Sequence, residues 1–166
     1  ASSLIILDDD ASLLYQQIAE AVRLLIQAHS PDFAAGRNSR ILQNVEQSTW
    51  CPEREPHHGL IDWNLSPTEV YNWIRGQSQP YPGAFSYLDN KKITIWAANP
   101  PQSTSSLVRP GEIVYQDGSH LGVAAWEGTL EITELEVGTE GSVPASALLS
   151  EYEFEIGDVF TNARDR

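Results

Sequence analysis

The sequence predicts an α+β chain, with helical pattern first and short strands after it. Apolar residues recur at spacings of three and four from Ala11 to Ala28, the period of one helical face. The run Leu65-Ser66-Pro67-Thr68-Glu69-Val70 is a complete helix start. Beyond Lys92 the pattern changes to β-rich runs separated by Asp117-Gly118 and Glu127-Gly128, as in a small barrel or curled sheet.

In chain order, Leu4-Ile5-Ile6-Leu7 reads as a buried edge or parallel strand, because an unbroken apolar run suits a strand covered on both faces. Asp8-Asp9-Asp10 follows. Three acids before a helix cap its free amides and complement its dipole, so the capping role is preferred to a metal site. The helix from Ala11 to about Ala28 carries Leu14, Ile18, Ala21, Val22, Leu25 and Ile26 on one face. Ser30-Pro31 is expected to interrupt it, with Phe33-Ala34-Ala35 as a short turn before Gly36. Arg37 to Leu60 has no clean period, and is expected to be an irregular connection with one strand at Ile41–Val45. Within it Cys51 is expected to be a buried or half-buried thiol, and Glu53-Arg54-Glu55 a solvated charge cluster. His57-His58 lacks further ligand spacing and makes a poor zinc signal.

At the second helix Ser66 is the N-cap, Pro67 holds the first helical position, and Glu69 closes a capping box. Leu65 and Val70 form the hydrophobic staple. Gly76 is expected to end the helix in a left-handed cap, after which Pro80-Tyr81-Pro82-Gly83 imposes a turn. Strands are expected at Lys92–Ala97, Gly111–Tyr115, Leu121–Trp126 and Leu130–Val137, with a Pro- and Ser-rich linker at Asn99–Ser106. Trp63, Trp73, Trp96 and Trp126 read as core. In the tail from Glu151 to Arg166, the alternation of Tyr152, Phe154 and Ile156 suggests one added strand.

Composition limits the function. An apolar fraction of 41% supports a real core, which argues against disorder. The formal net charge is −13, and residues 93–166 hold twelve acids against Arg109, Arg164 and Arg166. Gripping a nucleic-acid backbone needs clustered Lys and Arg, so tRNA is a disfavoured partner. No apolar run reaches the roughly 18–20 residues of a membrane span. One cysteine permits no internal disulfide, which fits a reducing cytoplasm. The absence of Met is expected of a processed or excised chain, and the excised fragment is preferred.

Ile61-Asp62-Trp63, Asn72-Trp73-Ile74-Arg75-Gly76 and Pro80-Tyr81-Pro82-Gly83-Ala84-Phe85 together resemble the 10-formyltetrahydrofolate-dependent formyltransferases. That group includes methionyl-tRNA formyltransferase, sugar-nucleotide N-formyltransferases and the hydrolase domain of formyltetrahydrofolate dehydrogenase. The resemblance runs from about Leu4 to Leu149. It implies four segments: 1–60, the terminal strand and helix of a Rossmann-like formyltransferase domain; 61–91, a linker helix and turn; 92–150, a small OB-like β-domain; and 151–166, a tail the family pattern does not place. Val143-Pro144-Ala145-Ser146-Ala147-Leu148-Leu149 is similar to the stretch that ends the β-domain in dehydrogenase-type members.

Family members carry a catalytic Asn and His in Asn-x-His-x-Ser-Leu-Leu-Pro and an Asp in a later loop. None of His29, His57, His58 and His120 has that context, so no catalytic residue is assigned and the isolated fragment is expected to be inactive. The resemblance implies 10-formyltetrahydrofolate as donor in the parent, the rest of the catalytic domain as partner, and methionyl-tRNA as the default acceptor; the acidic charge favours a small amine instead. Water as acceptor, in a hydrolase, is the near alternative; a non-catalytic acceptor-binding or assembly module is the rival class. Asn72, Arg75 and Tyr81 are the candidate substrate-binding residues. Arg75 has structural alternatives: capping carbonyls at its helix end, or pairing with Asp62. Tyr81 and Phe85 are alternatively plugs under the turn.

Overall fold

The structure, a computed structural model, describes residues 5–37, 40–101, 108–138, 143–144, 152 and 154–162. Its order is helix α1 (Ala11–Ala34), helix α2 (Pro67–Gly76), and strands β1 (Ala84–Leu88), β2 (Lys91–Ala98), β3 (Ile113–Gln116), β4 (Leu121–Ala125), β5 (Gly128–Val137) and β6 (Val143–Pro144). The α+β prediction holds. The Ser-rich linker beyond Pro101 and the Pro-Ala-Ser stretch beyond Pro144 lie outside the described residues.

The strands form one antiparallel sheet in the order β1-β2-β5-β4-β3, with β6 continuing the β4 side of β5. All four predicted strands appear; β6 is an addition, and so is β1. It pairs with β2 through Asp89-Asn90, whose positive φ values of 47° and 63° suit a tight hairpin. Glu127 also takes a positive φ at the β4–β5 turn.

The tail closes this sheet. Val159 bridges Glu112 ahead of β3, while Thr161 bridges Tyr87 in β1, so one short segment joins the two outer edges. Thr161 and Tyr87 exchange both backbone hydrogen bonds (2.8 and 3.1 Å), Phe160 N donates to Gly111 O (2.8 Å), and Ile113 N to Asp158 O (2.8 Å). The Ser86 hydroxyl donates to Thr161 O (2.9 Å) and accepts from the Trp63 indole (3.1 Å). Pairing satisfies edge groups that would otherwise face water or another chain. The seam is tight: a Cβ on Gly111, where φ is +89°, would lie 2.5 Å from the Phe160 carbonyl oxygen. Among the described residues the alternation predicted at Tyr152–Ile156 makes no strand: Phe154 is buried while Ile156 is exposed, so the two do not share one face. Pairing comes later, where the chain meets free edges.

One core fills the closed sheet. It joins Ile93, Ile95, Leu121, Val123, Leu130, Ile132 and Leu135 to Phe154 and Phe160 of the tail, and to Val70, Tyr71 and Ile74 of α2. Helix α2 packs on β2, β4 and β5. Its start is as read: Ser66 Oγ accepts from Glu69 N (3.4 Å), and Glu69 accepts from Ser66 N (3.0 Å). These Ser66 hydrogen bonds hold the Glu69 carboxyl below its usual pKa. Ser66→Ala is expected to cost about 1 kcal/mol in urea denaturation at neutral pH. A lowered carboxyl pKa stabilises above the unfolded value, so this difference should shrink as pH falls through the folded pKa of Glu69. Gly76 is not the left-handed cap; it lies within the helix, and Gln77 caps with φ −107°.

Other expectations fail for one physical reason: apolar sequence does not become strand or core without a neighbour. Ile5–Leu7 is exposed coil rather than a strand, because no described strand runs beside it to satisfy its backbone. Ile41–Val45 forms no strand; Val45 opens a 3₁₀ turn capped by Asn44, and Ile41 and Leu42 are exposed. Cys51 is exposed, as is Trp126. Pro31 does not stop α1, which runs on to Ala34.

A candidate binding cavity at the base of the long helix

Helix α1 begins where the chain is gripped by α2. Asp10 is its N-cap, accepting from Leu13 N (2.8 Å), as the acid run predicts. Asp9 is buried and accepts from Ile6 N (2.9 Å) and Gln17 Nε2 (3.4 Å). From α2, Arg75 Nη1 donates to Asp9 O (2.7 Å) and Ile6 O (3.3 Å), while its Nε donates to Asn72 Oδ1 (2.8 Å). The Tyr71 hydroxyl donates to Leu7 O (3.0 Å). The Ser78 hydroxyl accepts from Ala11 N (3.1 Å) and donates to Arg75 O (3.0 Å).

Arg75 therefore does something neither structural alternative described. It caps no carbonyl of its own helix end and makes no pair with Asp62, whose carboxylate instead accepts from Asn64. It acts as a two-point clamp on carbonyls more than sixty residues away, and Asn72 aims it.

Beside this grip lies a cavity of about 510 Å³ lined by Ile5, Asp9, Asp10, Ala11, Leu14, Tyr15, Ile18, Asn72, Arg75, Gly76 and Tyr81. All three sequence candidates, Asn72, Arg75 and Tyr81, line it. Phe85 does not; it is buried under Gly59. Tyr81 meets Tyr15 edge-on, ring centroids 6.2 Å apart. The hydrogen bond with Tyr15 raises the Tyr81 pKa, and burial, with the nearby Asp8 charge, raises that of Tyr71. Both phenols stay neutral at physiological pH and serve as hydrogen-bonding groups. An apolar hollow lined by an arginine, an amide and the phenols of Tyr15 and Tyr81 suits a small polar molecule.

Sequence reading missed Tyr71, Ser78, Asp9 and Tyr15. Tyr71 sits on the buried face of α2, where pattern alone reads it as core, and Ser78 carries no signal beyond its place after the helix. Arg75→Ala, which removes the hydrogen bonds to the Asp9 and Ile6 carbonyls, is expected to raise amide exchange at Asp9 and Leu14 about tenfold or more. The melting of the β-sheet should stay unchanged.

Above this base α1 stands free. Its 24 residues make a rod of about 36 Å, yet Leu13, Tyr15, Ile18, Val22, Leu24, Leu25, Ile26 and Phe33 are all exposed and only Ala11 is buried. No described helix is long and apolar enough to cross a membrane.

A family model described as the formyl transferase C-terminal domain matches residues 54–153. Solved structures of HypX from Aquifex aeolicus share the fold. One multiply substituted variant matches at a TM-score of 0.66 and 19% identity, over 95% of this chain and 31% of that one. Another matches at 0.58 and 21%, over 80% and 23%. HypX in complex with tetrahydrofolic acid matches at 0.58 and 19%, over 82% and 26%. This chain thus spans less than a third of the length of those HypX chains.

Proposed function

From the premise that this chain belongs to the formyl transferase C-terminal domain family, we propose that it is the C-terminal part of an enzyme that moves the formyl group of 10-formyltetrahydrofolate. The observation that carries this is the family match to residues 54–153. The tetrahydrofolic acid held by HypX supports a folate donor here. The groups that deprotonate the acceptor and hold the formyl oxyanion belong to the rest of the parent, and the isolated chain supplies neither. Its contribution is a wall: the cavity at the base of α1, with Asn72 and Arg75 fixing the wall's geometry and Tyr81 offering a neutral hydroxyl to the acceptor. The closed sheet is the OB-like unit of the family, acting as a scaffold for that wall.

The acceptor is a small amine, such as an amino sugar nucleotide or a carrier-bound amino group. The net charge of −13 opposes a tRNA backbone. Water is the second acceptor to test, and docking without chemistry the rival role. The parent enzyme, incubated with 10-formyltetrahydrofolate, should formylate an amino sugar nucleotide faster than methionyl-tRNA, while the isolated 166-residue chain transfers nothing. Formyl transfer by the isolated chain would overturn this reading; formylation of methionyl-tRNA as the preferred acceptor would overturn the small-amine assignment.

A further inference from the structure

A second cavity, of about 470 Å³, shares no residue with the first; it is lined by Cys51, Pro52, Glu53, Arg54, His57, His58, Leu60 and Trp73. We propose that it binds a small aromatic oxyanion, a carboxylate or phosphate monoester carried on a flat apolar body. The Trp73 indole N–H is buried and has no acceptor among the described residues. A buried donor without a partner is costly, and native structures generally fill such a vacancy with water or a ligand. Arg54 lies over the same indole, its guanidinium carbon 4.6 Å from the ring centroid. Its five donors make no hydrogen bond or ion pair among the described residues.

His58 lines the same cavity. The Glu55 amide donates to His58 Nδ1 (2.9 Å), so neutral His58 carries its proton on Nε2. Glu55 itself is engaged by His57 Nδ1 at 3.2 Å. In a chain of net charge −13, the unpartnered Trp73 N–H and the Arg54 guanidinium thus meet at one cavity, which His58 and the acidic Glu53 also line. The volume exceeds that of a bare inorganic ion, and Pro52, Leu60 and the indole supply apolar wall for a ring. The proposal rests on this cavity alone and is independent of formyl transfer.

The test is titration of the isotope-labelled chain with benzoate, phenyl phosphate and neutral benzamide, following the indole N–H resonances. Trp73 is identified by its loss in Trp73→Phe, or by its sensitivity to Arg54→Ala should Trp73→Phe not fold. Either anion should shift the Trp73 signal saturably and benzamide should not. The stronger of the two tells carboxylate from phosphate. Arg54→Ala should weaken the anion about tenfold or more, and Arg109→Ala, outside the cavity, should leave it unchanged. Equal response to benzamide, no response to either anion, or undiminished binding by Arg54→Ala would each overturn the site.

Discussion

Phe160→Ala is expected to destabilise the chain by about 3–5 kcal/mol, the range for emptying a fully buried phenylalanine site. Phe160 is 2% exposed and stacks on Trp63 with ring centroids 5.7 Å apart. Its neighbours in the tail hold both free edges of the sheet, Val159 bridging Glu112 ahead of β3 and Thr161 bridging Tyr87 in β1, so the loss is expected to extend beyond one side chain. The comparison is Ile156→Ala. Ile156 is an apolar residue of the same tail but 65% exposed, and its removal should change stability by less than about 0.5 kcal/mol. Urea denaturation of both variants decides the matter. Similar small losses would mean that the tail is an ornament on a sheet stable without it. A large loss with a lowered m-value would mean that the edges separate before the core melts.

This strap also marks where sequence reasoning stopped. Signals confined to a few neighbouring residues were legible: the Ser66–Glu69 box, the acid cap of α1, and the four strands set off by turns. The β1 strand had no expectation attached to it: Ala84–Leu88 directly follows a Pro-rich turn, with no period of its own to set it apart. The tail was hidden for a different reason. Its pairing partners, Gly111 to Ile113 and Tyr87, are far away in sequence, and no local period announces a strand that consists of single bridges. The site shows the same division. Asn72, Arg75 and Tyr81 stood out as polar residues around a well-punctuated helix, and they do line one cavity. That Arg75 grips the carbonyls of Ile6 and Asp9 depends on a contact spanning most of the first half of the chain. Conversely, the apolar runs at Leu4–Leu7 and Ile41–Val45 look like strands by composition, and composition cannot supply a neighbour.

The exposed face of α1 gives the largest expected effect on function. Replacing Val22, Leu25 and Ile26 together with glutamate should leave the isolated chain's sheet as stable as before, within about 0.5 kcal/mol. All three are exposed, and none lines the cavity at the helix base. In the proposed parent enzyme the outcome should be opposite. An amphipathic helix of this length holds its shape in proteins mainly through burial of its apolar face, and a patch of this kind marks an interaction surface. We expect the rest of the catalytic domain to cover it. Burial of each side chain is worth about 1.5–3 kcal/mol, so three charges placed there should remove a large share of a typical domain's 5–15 kcal/mol. Formyl transfer should fall more than about a hundredfold, with aggregation or proteolysis of the parent as the accompanying sign. Unchanged transfer by the triple variant would mean that α1 faces water in the parent too. The apolar stripe would then need another occupant, and self-association of the isolated chain, measured by sedimentation with and without the three substitutions, would tell whether that occupant is a second copy.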